Sequence, residues 1–406
     1  MKILLVHNFY RSSLPSGENQ VFEAEKTLLQ KHGHEVAVFT RHSDAIRNKG
    51  FPGMVHGALV TPWNPRMIWE IKRTVAHFRP DVVHAHNTFP LISPGIFSAI
   101  GHRAARVLTL HNYRLFCPAG ILMRTGRVCT ECLDCRSSWP ALRHGCYRGS
   151  RLATLPLAFS VGLHRTLGTW TRHIDAFLPI SAFQRERMIA AGLPAELMHV
   201  KPNFYPGHPA VVPWAARRPA VVFAGRLTAE KGVTALVRAW LLWGAAAPEL
   251  RIIGDGDLRG DLERLAAAAP DTPIRFLGHL AGDAARAEIA HARLLVLPSE
   301  WFEVFSMGIL EAFASGTPSA VSDIGPLPSI VHSGENGVLF APGDPQSLLA
   351  AVRGVWELPG ELERLARGAR RSFEVLYTEE ANYKMLMAIY QQAISVSQER
   401  RDEPAG

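Results

Sequence analysis

The sequence predicts a two-domain α/β protein in which each domain is built on a parallel sheet. The chain has 406 residues, which is more than one hydrophobic core usually supports, so we expect two domains. Short apolar runs alternate with amphipathic, helix-length stretches along the whole chain, and this alternation is typical of β-α-β units. Residues 208–219 contain three prolines and show little periodicity, which predicts a linker between the domains.

These observations divide the chain into four segments. We assign residues 1–207 to an N-terminal domain with a cysteine-rich insert at 112–150, and residues 208–219 to the linker. Residues 220–375 form the C-terminal domain, and 376–406 form a helix. That helix carries an amphipathic stripe that must dock on something, and we expect it to pack back on the N-terminal domain.

Ten strands are predicted from short apolar runs, five in each domain. The predicted strands of the first domain are Lys2–His7, Glu35–Thr40, Asp81–Ala85, Arg106–His111 and Ile174–Ile180. Those of the second domain are Ala220–Ala224, Leu250–Ile253, Pro273–Leu277, Arg293–Leu297 and Pro318–Val321.

Charge and hydropathy limit the cellular location and the partners. The net charge is +8, which favours an anionic partner. No recognisable nucleic-acid module is present, so we expect no nucleic-acid partner. No stretch approaches the roughly 18 to 20 apolar residues that a membrane-spanning helix needs, and the first apolar run is too short for a signal peptide. We therefore expect a cytoplasmic protein, either free or peripheral at the inner face of the cell membrane.

One basic segment admits three interpretations. From Arg136 to His173 there are six arginines and no acidic residue, interleaved with aromatic side chains. Such a segment can meet anionic lipid at a membrane surface. It can equally be a cationic wall of an active site or a plain solvated face, and the sequence favours none of the three.

The most specific motif spans residues 298–318. A buried strand ends before it, a loop carries Glu303, and a helix is predicted to open with Ser306 as its N-cap after Phe305. Amides at a helix start bind anions, and the carboxylates of Glu303 and Glu311 can accept hydrogen bonds from sugar hydroxyls. The alternative is that Glu311 is a solvated helix residue. Its position beside the end of a parallel strand, where ligands bind, disfavours that alternative.

A second motif opens the C-terminal domain. A strand runs into a turn that contains Gly225, Arg226 and Lys231. Two cations at this place can neutralise a diphosphate, arginine through a bidentate fork and lysine as a point charge. Taken alone, Lys231 beside Glu230 can also be an ordinary solvated residue.

Together these motifs resemble the family-four glycosyltransferases of the GT-B fold. The features that carry the resemblance share one order along the chain, and they are Ser16-Gly17-Glu18, His84-Ala85-His86, Leu108–His111, the turn from Gly225 to Gly232, Gly254-Asp255-Gly256 and the pair Glu303/Glu311. Each is weak alone, but their order and spacing are specific. The resemblance implies two Rossmann-type domains whose parallel sheets face each other across a cleft.

The resemblance also implies the chemistry and the site residues. It implies metal-independent transfer, with retention of anomeric configuration, from a nucleotide diphosphate sugar to a glycan or lipid-linked acceptor. Candidate catalytic residues are His111, Arg226, Lys231 and Glu303. The residues implied to bind the donor are Gly17, Gly225, Arg226, Lys231, Gly254, Glu303, Phe305, Ser306 and Glu311. Rival functions on the same fold are a nucleotide-sugar epimerase, a phosphorylase, or a non-catalytic sugar-nucleotide-binding subunit.

Within that set the resemblance gives each residue a separate role. Arg226 and Lys231 would hold the diphosphate, and Glu311 the ribose hydroxyls. Glu303 would bind hydroxyls of the donor sugar, which His111 would contact from the other domain. Gly17 would let the first loop approach the phosphates, because glycine has no side chain to intervene.

All five cysteines lie in the insert. Cys117, Cys129, Cys132 and Cys146 can bind a structural zinc as four thiolates, with Cys135 left over. A set of reduced thiols explains the same pattern equally well. The insert resembles that of a bacterial polysaccharide-assembly branch of the family, and no cofactor is expected for catalysis.

Overall fold

The computed structural model describes residues 1–10 and 17–402. The chain divides into two compact units. The N-terminal unit contains Met1–Leu122, Cys129–Pro202 and the chain from Asn382 onward, and the C-terminal unit contains Met123–Val128 and Asn203–Ala381. Each unit is an α/β structure built on one parallel sheet.

The N-terminal unit has a five-stranded sheet in the order β2-β1-β3-β4-β7, and every pair in it is parallel. Its strands are β1 (Lys2–Phe9), β2 (Glu35–His42), β3 (Val82–Asn87), β4 (Ala105–Leu110) and β7 (Ala176–Pro179). These match the five predicted strands. The short strands β5 (Met123–Arg124) and β6 (Arg127–Val128), which belong to the C-terminal unit, form a separate antiparallel hairpin that was not predicted from the sequence.

Eleven helices of the described chain accompany this sheet. They are α1 (Gly17–Lys31), α2 (Asp44–Arg47), α3 (Gly50–Val60), α4 (Pro65–Phe78), α5 (Ile96–Ile100), α6 (Glu131–Asp134), α7 (Trp139–His144), α8 (Arg151–Thr166), α9 (Thr169–Arg172), α10 (Ala182–Ala190) and α17 (Glu379–Asp402). Side-chain caps define several of their starts. The Ser150 hydroxyl accepts a hydrogen bond from the amide of Ala153, which fixes the start of α8.

The C-terminal helix α17 supplies part of the core of the N-terminal unit. Leu386, Ile389 and Tyr390 are buried in one apolar cluster with Ile3 and Leu5 of the first strand. Residues at spacings of three and four lie on one face of a helix. The apolar stripe of α17 is therefore the face that it buries.

The C-terminal unit has a six-stranded parallel sheet in the order β10-β9-β8-β11-β12-β13. Its strands are β8 (Ala220–Ala224), β9 (Glu249–Ile253), β10 (Ile274–Gly278), β11 (Leu294–Leu297), β12 (Ser319–Ser322) and β13 (Gly337–Phe340). The first five match the predicted strands. Strand β13 was not predicted, because its apolar run is only Val338-Leu339-Phe340.

Helices cover the sheet of the C-terminal unit in two separate apolar clusters. They are α11 (Val233–Trp243), α12 (Arg259–Ala267), α13 (Gly282–His291), α14 (Met307–Ala314), α15 (Pro345–Trp356) and α16 (Glu361–Ser372), which a π-helical turn, Phe373–Tyr377, extends. Within residues 1–10 and 17–402, no helix combines the length and the apolar character needed to cross a bilayer.

Candidate functional site

Three predicted motifs of the C-terminal unit meet at one edge of its sheet. The turn after β8 carries Gly225–Gly232, the turn after β9 carries Gly254–Gly256, and the loop after β11 carries Glu303. Strands β9, β8 and β11 are neighbours and parallel, so their carboxyl ends share that edge. This is the edge of an open α/β sheet where ligands bind.

The first two turns touch through their backbones. The amide of Gly225 donates to the carbonyl of Ile253 at 3.0 Å. A Cβ on Gly254 would lie 1.8 Å from the carbonyl oxygen of Gly225, and its φ of +137° also favours glycine. Both turns therefore depend on a residue without a side chain at position 254.

A second glycine joins the first turn to the loop after β11. Gly232 has φ +66°, and a Cβ there would lie 1.8 Å from the carbonyl oxygen of Pro298. The amide of Glu300 donates to the carbonyl of Glu230 at 2.9 Å. The Lys231 turn and the Glu303 loop are thus held at a fixed separation.

Lys231 and Glu303 form a mostly buried ion pair across that junction. The Lys231 Nζ lies 2.6 Å from the Glu303 Oε1, and the Ser299 hydroxyl donates to the same oxygen at 2.5 Å. The ammonium also lies 5.6 Å from the centroid of the Trp301 ring. Lys231 and Glu303 were predicted to have separate roles, whereas their charged groups are in direct contact in the structure.

Two further donor-site candidates, Arg226 and Glu311, contact other charged residues. Arg226 is exposed and its Nη2 lies 3.4 Å from a carboxylate oxygen of Glu230. Glu311 lies in α14, 4.0 Å from the Nη1 of Arg286. Burial raises the pKa of Glu311, and the guanidinium of Arg286 partly offsets that rise.

The start of α14 differs in one respect from the expectation. Ser306 occupies the N-cap position, but its side chain makes no capping hydrogen bond. Phe305 packs on the apolar cluster that contains Leu310, and its ring lies 6.3 Å from that of Tyr377. The amides that open α14 are therefore not capped by the Ser306 hydroxyl, and they retain the capacity to bind an anion.

In the N-terminal unit, His111 follows β4 and lines a pocket that is partly open to solvent. The pocket also includes His86, Arg114, Leu157 and Trp170. Within the described part of the chain, its lining contains no acidic residue. The pocket therefore combines apolar walls with histidine and a single guanidinium, which suits a neutral or anionic polar ligand.

A buried polar network contacts His111 through His86. The Glu25 carboxylate lies 2.9 Å from the Nζ of Lys201, 3.1 Å from the Nε2 of His86 and 3.0 Å from the Nδ1 of His84. The hydroxyl of Tyr390 lies 2.7 Å from that same His84 nitrogen. Burial alone would raise the pKa of Glu25, but the Lys201 ammonium and the two imidazoles hold it well below its usual range.

This network determines which nitrogen of His111 carries the proton. Burial lowers the pKa of His86 to about 4 and that of His111 well below its usual value, so both rings are neutral at pH 7. The ionised Glu25 only accepts, so the Nε2 of His86 donates to it and the Nδ1 of His86 accepts. The Nε2 of His111 lies 3.0 Å from that Nδ1 and must donate to it. The Nδ1 of His111 is left as a hydrogen-bond acceptor.

His84 and His86 were identified from the sequence only as parts of motifs, and His111 was also predicted to contact the donor sugar. Glu25 and Lys201 were missed. A signal was present for the histidines, because residues 84 and 86 of a strand lie on one face and the strand residues before Asn87 are otherwise apolar. No local pattern joins Glu25 to Lys201, which is 176 residues away along the chain.

The first loop is only partly described. Gly17 is exposed and begins α1, whereas Ser16 of the same motif lies outside the described residues. Burial raises the pKa of Glu18 to about 8, with Arg114 acting in the opposite direction. The side chain of Glu18 is therefore largely protonated at pH 7.

None of the five cysteines, all of which lie among the described residues, forms a disulfide. Cys117 and Cys132 are buried, Cys129 and Cys146 are half-buried, and Cys135 is exposed. Burial, and next the neighbouring Cys117, raises the pKa of Cys132 to about 12. The zinc site at these thiols stays a prediction.

A group of side chains close enough together to share a metal ion occurs outside the cysteine-rich insert. Among the described residues, the one group of three or more potential ligands whose atoms lie within 4.8 Å of one another is Glu25, His84 and His86. Its atoms are already engaged with Lys201 and Tyr390. We therefore interpret this group as a hydrogen-bonded network and not as a metal centre.

Comparison with known proteins gives matches along most of the chain. Residues 17–206 match the family model described as Glycosyltransferase Family 4, and residues 218–357 match the model described as Glycosyl transferases group 1. Glycogen synthase of Mycobacterium tuberculosis is 28% identical over 419 residues, which cover 91% of this chain and 90% of that protein. A GDP-mannose-dependent alpha-mannosyltransferase of Mycolicibacterium smegmatis is 29% identical over 368 residues, which cover 85% of each.

Solved structures match over nearly the full length. Anabaena HepE in complex with UDP and glucose has a TM-score of 0.63 at 19% identity, covering 96% of this chain and 99% of that one. Sucrose-phosphate synthase of Thermosynechococcus elongatus has a TM-score of 0.66 at 16% identity, covering 97% and 99%. At such identities the likeness concerns the fold.

Proposed function

Since the chain belongs to family 4 of the glycosyltransferases and has the GT-B fold, we propose that it transfers a sugar from a nucleotide diphosphate sugar to a glycan or lipid-linked acceptor. The observation that carries this proposal is the Lys231–Glu303 pair at the ligand-binding edge of the C-terminal sheet. A cation for phosphate and a carboxylate for sugar hydroxyls stand side by side there. HepE, which has the same fold, was solved with UDP and glucose.

The pair has a specific use in binding the donor. A lysine ammonium has three N–H donors and no acceptor. Lys231 can therefore keep Glu303 in place and donate to a phosphate oxygen at the same time. Ser299 fixes the same carboxylate oxygen, which leaves the other oxygen of Glu303 to accept a hydrogen bond from a sugar hydroxyl.

The other candidates complete the donor site in this proposal. Arg226 is exposed and can turn its guanidinium from Glu230 to the diphosphate. The amides that open α14, after Ser306, stabilise the departing phosphate. Glu311 accepts hydrogen bonds from the ribose hydroxyls. Gly254 allows the two turns to approach, because a Cβ there would collide with the carbonyl oxygen of Gly225. A Cβ on Gly225 would lie 3.2 Å from the ring of Phe223.

We infer a metal-independent reaction with retention of configuration. The bond between the anomeric carbon and the diphosphate oxygen breaks, and the acceptor oxygen bonds to the same face of that carbon. The acceptor's proton passes to the departing phosphate oxygen. Arg226 and Lys231 stabilise the charge that develops there, and the Nδ1 of His111 accepts a hydrogen bond from a hydroxyl of the donor sugar.

The place of the reaction is part of the same proposal. The cysteine-rich insert resembles that of enzymes of bacterial polysaccharide assembly, so we propose that the protein acts in such a process at the inner face of the cell membrane. The basic segment from Arg136 to His173 supports a position near an anionic surface.

A panel of nucleotide diphosphate sugars tests the proposed reaction. A ligand that binds only the folded state raises the melting temperature, so at least one UDP, GDP or ADP sugar should do so. The same donor should release its nucleoside diphosphate when a mixture of lipid-linked glycans is added, and Lys231→Ala should reduce both signals. If no donor in the panel raises the melting temperature or releases nucleotide, the proposed function is wrong.

A further inference from the structure

The large apolar side chains of helix α3 are exposed to solvent and do not pack into the core of the N-terminal unit. Its buried residues are Gly53 and Gly57. Phe51 and Leu59 are each 72% exposed, and Met54 is also exposed. Apolar side chains at this spacing lie along one face of a helix, and exposed apolar patches mark interaction sites.

Close packing explains why the glycines point inward. A Cβ on Gly53 would lie 2.0 Å from the carbonyl oxygen of Ile46, and one on Gly57 would lie 2.8 Å from the Ile46 Cδ1. Helix α3 therefore packs closely on Ile46 through its glycines. Its large apolar side chains take no part in this contact and are available to a partner outside the unit.

Helix α8 packs against α3 and has a similar outer face. Leu152 is 83% exposed, and Leu155 and Phe159 are also exposed, at spacings of three and four residues. We call the exposed apolar residues of the two helices the α3–α8 surface; they are Phe51, Met54, Val55, Leu59, Leu152, Leu155 and Phe159.

The charges near the α3–α8 surface are mainly basic, with Asp44 of α2 as an acidic exception. Arg47 and Lys49 precede α3, Arg151 opens α8 and Arg165 lies in its last turn, and all four are exposed. Helix α3 contains no charged residue, and the segment 136–173 contains no acidic one. An apolar face bordered by arginine and lysine is complementary to a bilayer that contains anionic lipid.

We propose that the α3–α8 surface docks the N-terminal unit on an anionic membrane, with its apolar side chains at the boundary between headgroups and acyl chains. The arginines and lysines that border it pair with lipid phosphates. This docking needs both components, because a few apolar side chains or a few charges bind a bilayer weakly on their own.

The same helix forms a wall of the pocket at His111. Leu157, Ser160 and Val161 of α8 line that pocket, whereas Leu152 and Phe159 are on its outer face. An α-helix with its side chains is about 10–12 Å across. The docked surface and the pocket are therefore about one helix diameter apart. Resting on the proposed function, this favours a lipid-linked acceptor, presented to the pocket from the bilayer.

Vesicle sedimentation of the full chain tests the docking. The protein should pellet with vesicles of phosphatidylcholine and phosphatidylglycerol, and at least tenfold less with phosphatidylcholine alone. The triple variant Phe51→Ser, Leu59→Ser, Phe159→Ser should lose at least tenfold in binding. Its residues are exposed, so its melting temperature should stay close to that of the wild type. The matched control is Leu242→Ser, an exposed apolar residue of the C-terminal unit, which should bind as the wild type does.

A charge variant tests the second component. Arg47→Glu, Arg151→Glu and Arg165→Glu together should abolish pelleting with anionic vesicles, and salt should weaken the binding of the wild type. Failure of the wild type to bind anionic vesicles at low salt would overturn the proposal. So would wild-type binding by the serine variant, or a dimer in solution that this variant dissociates. Nucleotide sugar binding, measured separately, shows whether the proposed function itself fails.

Discussion

The Nδ1 of His86 lies 3.0 Å from the Nε2 of His111, and this contact ties the pocket of the N-terminal unit to a buried carboxylate. Glu25 accepts from His86, so His86 must accept from His111. Glu25 does not line the pocket, yet it determines that His111 offers a hydrogen-bond acceptor, its Nδ1, to a ligand there. Glu25 and His86 fix the tautomer of His111 in this arrangement, and under the proposed function His111 is the group that contacts the donor sugar.

Glu25→Gln should destabilise the protein strongly. The substitution leaves the Lys201 ammonium buried without its carboxylate partner, and breaking a buried ion pair typically costs about 3–5 kcal/mol. Urea denaturation measures the change in the free energy of unfolding. Glu23→Gln is the matched control, since Glu23 lies in the same helix but is largely exposed, and it should change the free energy by less than about 1 kcal/mol. Equal effects of the two substitutions would contradict the network.

The tautomer of His111 is open to a direct measurement. In ¹⁵N-histidine NMR spectra at pH 7, His111 should be neutral with its proton on Nε2, because His86 accepts from that nitrogen. His86→Phe removes the acceptor, and the signal should move toward a mixture of tautomers. Donor turnover should fall in the same variant, while the affinity for free nucleoside diphosphate is unchanged. A wild-type proton on Nδ1 would refute the assignment.

Acid should destabilise the folded chain between pH 6.5 and 4. The pKa of His86 is about 4 in the folded protein against 6.5 for an unperturbed histidine, so the unfolded chain binds a proton in this range and the folded chain does not. The contribution of His86 to the free energy of unfolding is therefore fully present well above pH 6.5 and is lost as the pH drops. At pH 4 the loss from this residue is about 3 kcal/mol. Urea denaturation at several pH values measures the slope. His86→Gln should reduce the slope, whereas the exposed His56→Gln should not.

Two glycine-to-alanine substitutions should have opposite effects. In Gly254→Ala the new Cβ would lie 1.8 Å from the carbonyl oxygen of Gly225, so the two turns must separate and both stability and donor binding should fall. Gly354 lies inside α15 with nothing within 4 Å of its Cβ position. Gly354→Ala should therefore raise the free energy of unfolding by roughly 0.5–1 kcal/mol. Melting curves with and without nucleotide distinguish the two. A stabilising Gly254→Ala would refute the close approach of the turns.

Lys231→Ala and Glu303→Gln should affect different parts of the donor. Loss of Lys231 should weaken binding of the free nucleoside diphosphate, since one of the two cations is gone. Glu303→Gln should reduce use of the intact sugar donor and leave the nucleoside diphosphate affinity largely unchanged. The two groups are 2.6 Å apart, so the double variant should lose less than the sum of the single losses. Calorimetric titration and turnover of the wild type, the two single variants and the double variant measure this double-mutant cycle. If the losses of the two single variants add up to the loss of the double variant, Lys231 and Glu303 do not act together in binding.

The fold could be predicted further than the site because the two depend on different kinds of pattern. Buried strands such as Leu294–Leu297 are apolar along their whole length, so a short run of apolar residues in the sequence is enough to predict them. Strand β13 was missed because it is short and follows Gly337. Contacts such as that between Lys231 and Glu303 join residues 72 positions apart, and no local pattern specifies them. Motif resemblance identified both residues, but only the structure shows that they form an ion pair.

Metal analysis of protein prepared without added zinc tests the cysteine cluster. If Cys117, Cys129, Cys132 and Cys146 bind a structural ion, the protein should contain about one zinc per chain. A bound zinc would also lower the pKa of the Cys132 thiol, which burial otherwise raises to about 12, because zinc binds the thiolate. Cys132→Ser should abolish the zinc content and lower the melting temperature. Cys135→Ser is the matched control, since Cys135 is exposed and outside the four ligands, and it should retain the metal. A zinc content below about a tenth of an equivalent, with all five thiols titrating freely, would show that the cysteines are ordinary reduced thiols.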